Sequence, residues 1–391
     1  MVKRKKSGGS LAAARLHKSQ QQRKKILQKA GLVSQKKNKF EHQNSHLKSR
    51  DSELHEAKND CIQMRNDRVF VSVAAFCDPW LRFTLESLFE QAHYPDRLVV
   101  GVVDQSFDSQ QTWIRQHPRA DQIRYVHLDP LHSRGVCWAR SLVQSLYDNE
   151  SYYLQIDSHT WFSKDWDKKL IHQIEQLEQF SNRPILSIYP PPFDFDAHNK
   201  PFKRLRDTNS IGFFEFKNID KFTIENIVIR AKVAYQGLPD SNHFYAARGY
   251  YLSGGFLITK GRFVLDVPYD PLFYFHGEEQ ALALRAFTHG WDIFHGRYRD
   301  VPLYHLYKSS DTEYDSHHWR KDLESRREVK FHQRREKAIM RLHQLVQGEL
   351  PEPYGLGRHR TLEEYKELSG IDYLNGVLKN PEKMKVFRSN F

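Results

Sequence analysis

The sequence predicts an α/β protein whose core is a doubly wound, mostly parallel β-sheet, and two observations predict it. Apolar, β-branched segments of strand length alternate with segments whose apolar residues recur at helical spacing, the pattern of a parallel sheet covered by helices. Acidic residues also follow three predicted strands at their carboxyl ends: Asp78, Asp104 and Asp157. Ligands bind at this edge of such sheets, so the same pattern indicates where a site would lie.

The first half of the chain contains the most regular part of this pattern. Val69–Phe76 is a buried strand, and Pro79 then occupies the first turn of a helix at Pro79–Ala92. The predicted elements that follow are the strands Leu98–Val103 and Ile123–Leu128, the helix Arg134–Tyr147, the strand Tyr152–Ile156 and the helix Asp165–Phe180. Right-handed connections between consecutive strands make the sheet mostly parallel.

The pattern is less regular after Pro190-Pro191-Pro192, which breaks the chain. Phe193–Gly237 is predicted to be a smaller, irregular insert with short strands. The later predicted elements are the strand Phe256–Thr259 after Gly254-Gly255, a helix from His276 through Thr288, the strand Pro302–Leu306, a long helical stretch at Asp315–Val346 and a short helix within Leu356–Tyr373 that Thr361 and Glu364 cap. We therefore expect a tail at 1–65, an α/β domain at 66–310 and a C-terminal helical extension at 311–391 that packs on it.

The positive charge of the chain belongs to its tail. The formal charge is +12, but residues 1–50 contain 15 Lys and Arg and one acid, whereas residues 51–391 contain 45 Lys and Arg and 47 acids. The tail is predicted to be disordered or partly helical. It is either a solvated arm or a segment that binds nucleic acid or an acidic membrane surface. The nearly neutral remainder argues against nucleic-acid binding as the main function.

Cysteine usage and hydropathy bear on location. The chain has three cysteines, Cys61, Cys77 and Cys137, an odd number without close pairing that is typical of a reducing compartment. No stretch approaches the roughly 18 apolar residues that a membrane span needs. We therefore expect a cytoplasmic protein, with secretion by another route left open.

The sharpest local motif is Asp157-Ser158-His159, in the turn after a predicted buried strand. A carboxylate and an imidazole two residues apart can ligate one cation, which would bridge the two phosphates of a nucleoside diphosphate sugar. Mixed oxygen and nitrogen ligands suit Mn²⁺ or Mg²⁺ better than a sulfur-lined zinc site does. The spacing by itself is also that of ordinary turn and cap residues.

Several motifs together resemble those of known glycosyltransferases. The segment Ser133–Arg140 with Gly135, Asp157-Ser-His159, Ser253-Gly-Gly-Phe256, Tyr269-Asp-Pro271, Gly277-Glu-Glu279 and Tyr304-His-Leu306 resemble the polypeptide N-acetylgalactosaminyltransferases. A closer resemblance is to the cytosolic hydroxyproline N-acetylglucosaminyltransferases, through Ala75-Phe-Cys-Asp-Pro79, Tyr354-Gly-Leu-Gly357 and Arg360-Thr-Leu-Glu-Glu-Tyr365. The resemblance covers about Val69 to Tyr373, with the motifs in the same order.

The resemblance implies a GT-A type fold, a UDP-sugar donor and retention of the anomeric configuration. By matching position it implies that Asp157, His159 and His305 are the metal ligands. Contacts to the donor are expected from Phe76, Asp78, Gln105, Arg134, Arg140, Asp157 and Gly255. Arg134 or Arg140 is otherwise a surface arginine, Asp78 a helix cap and Gly254-Gly255 a tight bend.

The catalytic candidates are Glu278 and Glu279 at the start of a predicted helix, where carboxylates also favour the helix dipole. The related family has Gly-Glu-Asn here, so Glu279 stands in the position of an Asn. No general base is evident. Residues Ser316–Trp319 form either a lid over the donor or the approach to the next helix.

The sequence thus predicts a metal-dependent retaining glycosyltransferase that uses Mn²⁺ or Mg²⁺ and moves GlcNAc from UDP-GlcNAc to a hydroxyl, on a protein hydroxyproline or Ser/Thr. The insert would form the acceptor side of the site. The alternatives are a metal-dependent nucleotide-sugar hydrolase, a nucleic-acid-binding protein that acts through its tail, and an inactive relative that scaffolds an acceptor protein.

Overall fold

The computed structural model describes residues 68–204, 209–217, 219–239, 243–307, 317–380 and 384–388. The tail predicted at 1–65 and the residues 315–316 of the predicted long helix lie outside this part. No helix among the described residues is long and apolar enough to cross a membrane.

The first half follows the predicted order of strands and helices. Its elements are β1 (Val69–Phe76), α1 (Leu81–Glu90), β2 (Leu98–Gln105), α2 (Gln111–Gln116), β3 (Ile123–Leu128), α3 (Val136–Gln144), β4 (Tyr152–Asp157), β5 (Thr160–Phe162), α4 (Trp166–Leu177) and β6 (Pro184–Ser187). The helix predicted from Arg134 begins at Val136 because Gly135 has a φ of 103°, which an α-helix does not accept. Arg134 therefore precedes α3, contrary to its predicted place on that helix.

The second half adds further strands to the same layer. Its elements are β7 (Phe193–Phe195), β8 (Pro201–Lys203), β9 (Ser210–Lys217), β10 (Arg230–Gly237), β11 (Tyr245–Gly249), β12 (Phe256–Lys260), α5 (Phe263–Asp266), α6 (Glu278–Thr288), β13 (Asp292–Gly296), β14 (Leu303–His305), α7 (Lys321–Arg326), α8 (Phe331–Val346), α9 (Leu362–Ser369), β15 (Ile371–Asp372), β16 (Val377–Leu378) and β17 (Val386–Arg388).

Nine strands of the described chain form one sheet in the order β17-β11-β13-β6-β12-β4-β1-β2-β3. The strand pairings give seven of them one direction, and β11 and β12 run the opposite way. Every residue of β2 is buried, as expected for a strand that helices cover on both faces. The predicted α/β class with a mostly parallel sheet is confirmed.

The insert contains the predicted short strands only in its first part. β7 and β8 are three residues each, but β9 and β10 form an antiparallel hairpin whose strands are eight residues each. Buried Ile211, Phe214 and Phe216 anchor β9 in the core, but the adjacent Phe213 blurs the alternation that would have shown it.

The long helix predicted at Asp315–Val346 is wrong within the described residues, because α7 and α8 are separate. The chain extends between them, and Arg327 there donates hydrogen bonds to the carbonyl oxygens of His318 and Pro130. The short helix α9 has the predicted capping box of Thr361 and Glu364. The described residues after 311 form strands as well as helices, and one of these strands, β17, pairs with β11 in the main sheet.

Candidate active site

A cluster of potential metal ligands lies at the carboxyl end of β4. Ligand atoms of Asp157, His159 and His305 all lie within 4.8 Å of one another, and we call these residues the ligand cluster. The short strand β14 pairs antiparallel with β5, which begins directly after His159, and the pairing sets His305 opposite Thr160. His305 Nε2 consequently lies 3.0 Å from Asp157 Oδ2. Backbone pairing therefore brings together ligands that are far apart in sequence.

A buried carboxylate orients His159. Asp78 Oδ2 lies 2.6 Å from His159 Nδ1 and also accepts a hydrogen bond from Ser158 Oγ at 2.6 Å. Burial alone would raise the pKa of Asp78, but the neighbouring His159 and the hydrogen bonds outweigh it, and the pKa is lowered. Because Asp78 is ionised, Nδ1 of His159 carries the proton and donates it. Nε2 is then the nitrogen that can ligate a cation.

Arg140 connects the ligand cluster to a predicted catalytic residue. It is buried, donates from Nη2 to Asp157 Oδ1 at 2.8 Å, and donates from Nη1 to Glu278 Oε1. Tyr269 adds a hydrogen bond from its hydroxyl to Glu278 Oε1 at 2.9 Å. Arg140 is thus held between two carboxylates of the chain, where it fixes their positions.

The two carboxylates respond to Arg140 differently. Burial would raise the pKa of Asp157, but the His305 hydrogen bond and the Arg140 charge hold that pKa well below its usual range. Burial raises the pKa of Glu278, and the nearby Arg140 offsets this only in part. Asp157 is the more firmly ionised of the two and the better cation ligand.

Glu279 holds the backbone next to the ligand cluster. Its Oε1 accepts a hydrogen bond from the Gly254 backbone N–H at 2.7 Å, and its Oε2 accepts one from the Tyr189 hydroxyl at 2.7 Å. The Tyr251 hydroxyl is a weaker donor to Oε2 at 3.3 Å. Burial raises the pKa of Glu279 to about 7, although these hydrogen bonds favour its ionised form. Glu279 therefore fixes the Gly254-Gly255 segment.

Gly255 is a glycine because the ligand cluster lies against it. A Cβ at this position would come within 2.8 Å of Asp157 Oδ2, closer than such atoms normally approach. The backbone at Gly255 therefore approaches a side chain of the ligand cluster closely.

A cleft of about 730 Å³ opens beside these residues. Its floor includes Asp157, His305, Gly255, Glu278 and Glu279. Its outer side consists of residues from the β9–β10 hairpin, the loop before α6 and the segment from 319 to 335: Lys217, Val228, Ile229, Arg230, Ala231, Phe275, His276, Trp319, Phe331 and Arg335. The volume lies in the range of small-molecule binding sites.

Four predicted donor contacts do not line this cleft: Phe76, Asp78, Gln105 and Arg134. Phe76 packs on His318 with ring centroids 4.9 Å apart. Gln105 is buried, and its amide donates to the Ala75 carbonyl oxygen at 2.9 Å. Arg134 is exposed, with its guanidinium 5.7 Å from the ring centroid of Trp138.

His318 was predicted only as one of two alternatives, a lid residue or an approach to the helix. Its ring nitrogens lie 2.9 Å from Ser133 Oγ and 2.7 Å from the Tyr274 hydroxyl, so its side chain is anchored beside Phe76. Trp319, the next residue, lines the cleft.

Sequence reasoning missed the tyrosines that hold Glu279 and the cations on the outer side of the cleft. Tyr189 and Tyr251 carry no local motif, because their role depends on a helix that begins 27 or more positions later. Lys217 and Arg230 are cross-strand partners in the β9–β10 hairpin. Recognising the hairpin from its alternation would have paired them.

The residues present fit a divalent cation. One carboxylate and two imidazoles converge, and the buried Asp78 supports an imidazole in the way that carboxylates commonly support metal-ligating histidines. No cysteine belongs to the set, which suits Mn²⁺ or Mg²⁺ with further oxygen ligands.

Three solved structures show distant similarity to the chain. S. aureus TarS 1–349 is 13% identical, with 58% of this chain and 57% of that chain covered and a TM-score of 0.38. GalNAc-T7 with UDP, GalNAc and Mn²⁺ is 12% identical, with 77% and 54% covered and a TM-score of 0.48. The mannosyltransferase PcManGT from Pyrobaculum calidifontis, with GDP-Man and Mn²⁺, is 12% identical, with 58% and 53% covered and a TM-score of 0.36. The chain spans little more than half the length of each of these structures.

The sequence itself matches a family model. No curated protein matches the chain. The model described as "Glycosyltransferase (GlcNAc)" matches residues 68–117 and 109–375, which together include the whole sheet except β17 and all residues of the ligand cluster. The predicted resemblance to a GlcNAc transferase family is confirmed, and the chain belongs to the GlcNAc family of glycosyltransferases.

Proposed function

We propose that this chain is a metal-dependent, retaining glycosyltransferase that moves GlcNAc from UDP-GlcNAc to a protein hydroxyl, on hydroxyproline or on Ser/Thr. The observation that carries the proposal is the ligand cluster, in which Asp157, His159 and His305 converge at the edge of the sheet where ligands of such folds bind. The family to which the chain belongs supports GlcNAc as the sugar.

The chain's own residues divide the work between holding and positioning. Asp157 Oδ2, His159 Nε2 and a ring nitrogen of His305 would hold Mn²⁺ or Mg²⁺. When bound, the cation would supply Lewis-acid stabilisation of the charge on the departing diphosphate. Asp78 keeps His159 in the tautomer that can ligate, and Arg140 fixes the carboxylate of Asp157.

Glu278 and Glu279 are proposed to position the donor sugar and the acceptor, because both line the cleft floor. Both oxygens of Glu279 already accept hydrogen bonds from the chain, so we propose a positioning role for it rather than that of a general base. The cleft offers room for an acceptor side chain beside the ligand cluster, which a transferase needs and a hydrolase of the donor does not.

A panel of UDP-sugars tests this proposal. Each sugar is added with Mn²⁺, with Mg²⁺ or with a chelator, and the melting temperature and the release of UDP are measured. We expect UDP-GlcNAc with Mn²⁺ to give the largest shift and the fastest release. Two results together would make the chain a nucleotide-sugar hydrolase instead: UDP is released at the full rate without an acceptor, and mass spectrometry of a lysate shows no protein that has gained a sugar.

A further inference from the structure

Three cations meet on the outer side of the cleft: Lys217 at the end of β9, Arg230 at the start of β10 and Arg335 on α8. We call them the cationic rim. All three are exposed, and in the described part of the chain none forms an ion pair with a carboxylate. This contrasts with Lys232 on the same hairpin, which pairs with Glu215 at 3.0 Å.

The cationic rim is electrostatically unfavourable without a ligand. Lys217 and Arg230 are direct cross-strand partners, and like charges in this arrangement destabilise a hairpin. The pKa of His276, on the same side of the cleft, is lowered first by burial and then by the charges of Arg335 and Arg230. The positive charges of Arg230 on β10 and Arg335 on α8 therefore both reach the His276 side chain. An anion bound there would relieve their repulsion.

The surroundings of the cationic rim offer apolar surface beside the charges. Three aromatic side chains line the same part of the cleft: the Phe275 and Trp319 ring centroids are 5.6 Å apart, and those of Trp319 and Phe331 are 6.3 Å apart. Phe275 is 56% exposed, which offers apolar surface to a bound chain.

A polynucleotide would need a longer basic path than this. The described body belongs to a part of the chain that carries slightly more acids than bases, whereas nucleic-acid-binding surfaces carry an extended basic stripe.

We propose that the cationic rim binds acidic side chains that flank the acceptor hydroxyl, so that this enzyme selects acceptor segments rich in Asp or Glu. The inference rests on the proposed function, because it assigns the rim to the acceptor protein of the same site. It places acceptor selection on the insert and α8, apart from the ligand cluster that would hold the donor.

A binding experiment with the full chain tests the rim. The probes are two fluorescein-labelled decapeptides with a central hydroxyproline, one flanked by Glu and one by Gln, titrated with UDP and Mn²⁺ present and read by fluorescence anisotropy. We expect the Glu peptide to bind about tenfold more tightly than the Gln peptide at low salt, with the preference falling as salt rises. Equal affinities for the two peptides would overturn the proposal.

Charge reversal supplies the matched comparison. The double variant Lys217→Glu/Arg230→Glu should lose the preference for the Glu peptide. The control Arg115→Glu/Lys168→Glu changes the net charge equally at exposed helix positions outside the cleft and should keep it. An equal loss in the control would show a general charge effect and would contradict the rim assignment. The assignment would also be contradicted if a labelled single-stranded RNA bound more tightly than the Glu peptide and the double variant abolished that binding.

Sugar transfer to the peptides separates this proposal from the proposed function. With UDP-GlcNAc and Mn²⁺, wild-type protein should release UDP and add a sugar to both peptides. If wild-type protein releases no UDP from any UDP-sugar with either peptide present while the Glu peptide still binds preferentially, the proposed function fails and the anion-binding role of the cationic rim stands. If UDP is released and the peptides bind alike, only the rim proposal fails.

Discussion

The floor and the rim of the cleft are built in opposite ways. On the floor the charged side chains are held by hydrogen bonds within the chain: Arg140 joins Asp157 to Glu278, and the Gly254 backbone and the Tyr189 hydroxyl hold Glu279. On the rim Lys217, Arg230 and Arg335 are exposed and carry no ion pair among the described residues. Chemistry that needs fixed geometry thus sits on the ends of buried strands, whereas the residues proposed to select an acceptor sit on a hairpin and a helix face.

This difference predicts where substitutions act. Changes on the floor should damage metal binding with little effect on acceptor preference, because the hydrogen bonds there hold the proposed metal ligands and not the rim. Changes on the rim should be graded and sensitive to salt, since exposed charges are screened.

The largest effect is expected from the ligand cluster itself. Asp157→Asn, His159→Ala and His305→Ala should each abolish UDP release. Each should weaken Mn²⁺ binding at least as much as the loss of a group that supports a metal ligand, which typically costs about 10–100-fold. Combining two of them should add little, because residues that act as a unit are not additive. Mn²⁺ titration, UDP release and circular dichroism measure this.

The control for the cluster is His172→Ala, which removes an imidazole from α4 outside the cleft and should behave as wild type. If His305→Ala kept normal Mn²⁺ dependence while folded, His305 would not be a ligand, and the floor would not be a single unit.

The next largest effect is expected at Asp78. In Asp78→Asn the new amide would donate to His159 Nδ1, so the proton would move to Nε2 and that nitrogen could no longer ligate. Mn²⁺ affinity should fall about tenfold or more. The control Asp129→Asn keeps its hydrogen bond from the Leu131 N–H and should not change Mn²⁺ affinity. Unchanged affinity in Asp78→Asn would show that the orienting carboxylate is not needed.

A smaller effect is expected at Gly255. The added Cβ of Gly255→Ala would press on Asp157 Oδ2, which Arg140 and His305 hold in place. We expect the free energy of unfolding to fall by about 1–3 kcal/mol and Mn²⁺ binding to weaken several-fold. Gly237→Ala is the control, since a Cβ there meets nothing within 4 Å. Chemical denaturation and Mn²⁺ titration of both variants measure these effects. Equal stability of the two variants would mean that the Asp157 side chain can move aside for the added Cβ.

The smallest effect concerns the pH dependence of stability. Because the pKa of Glu279 is raised from 4.5 to about 7 in the folded protein, the folded state binds more protons than the unfolded state between these values. Glu279 therefore makes wild-type stability fall as pH rises from about 4.5 to 7, and Glu279→Gln removes this loss.

The stability advantage of Glu279→Gln over wild type should accordingly be larger at pH 8 than at pH 5, by about 1–3 kcal/mol. Urea denaturation at the two pH values measures it. Parallel behaviour of the two proteins would show that Glu279 titrates normally and is not confined by the floor.

The sequence by itself determined the strands of the first half and the identity of the ligand cluster. Val69–Phe76 and Ile123–Leu128 were predicted with the bounds that the structure has. Val69–Phe76 was visible because a strand buried on both faces is a nearly continuous apolar run. The ligand cluster was named through resemblance to a family, and Asp157-Ser158-His159 was visible as a local motif.

Only the tertiary structure decided what the remaining residues do. His305 reaches Asp157 through the pairing of β14 with β5. Asp78 contacts His159, and Arg140 contacts Asp157 and Glu278. Lys217, Arg230 and Arg335 meet because a hairpin and a helix far apart in sequence converge. Such contacts depend on long-range packing and strand register, which no local pattern encodes, whereas hydrophobic periodicity and short motifs are properties of the chain itself.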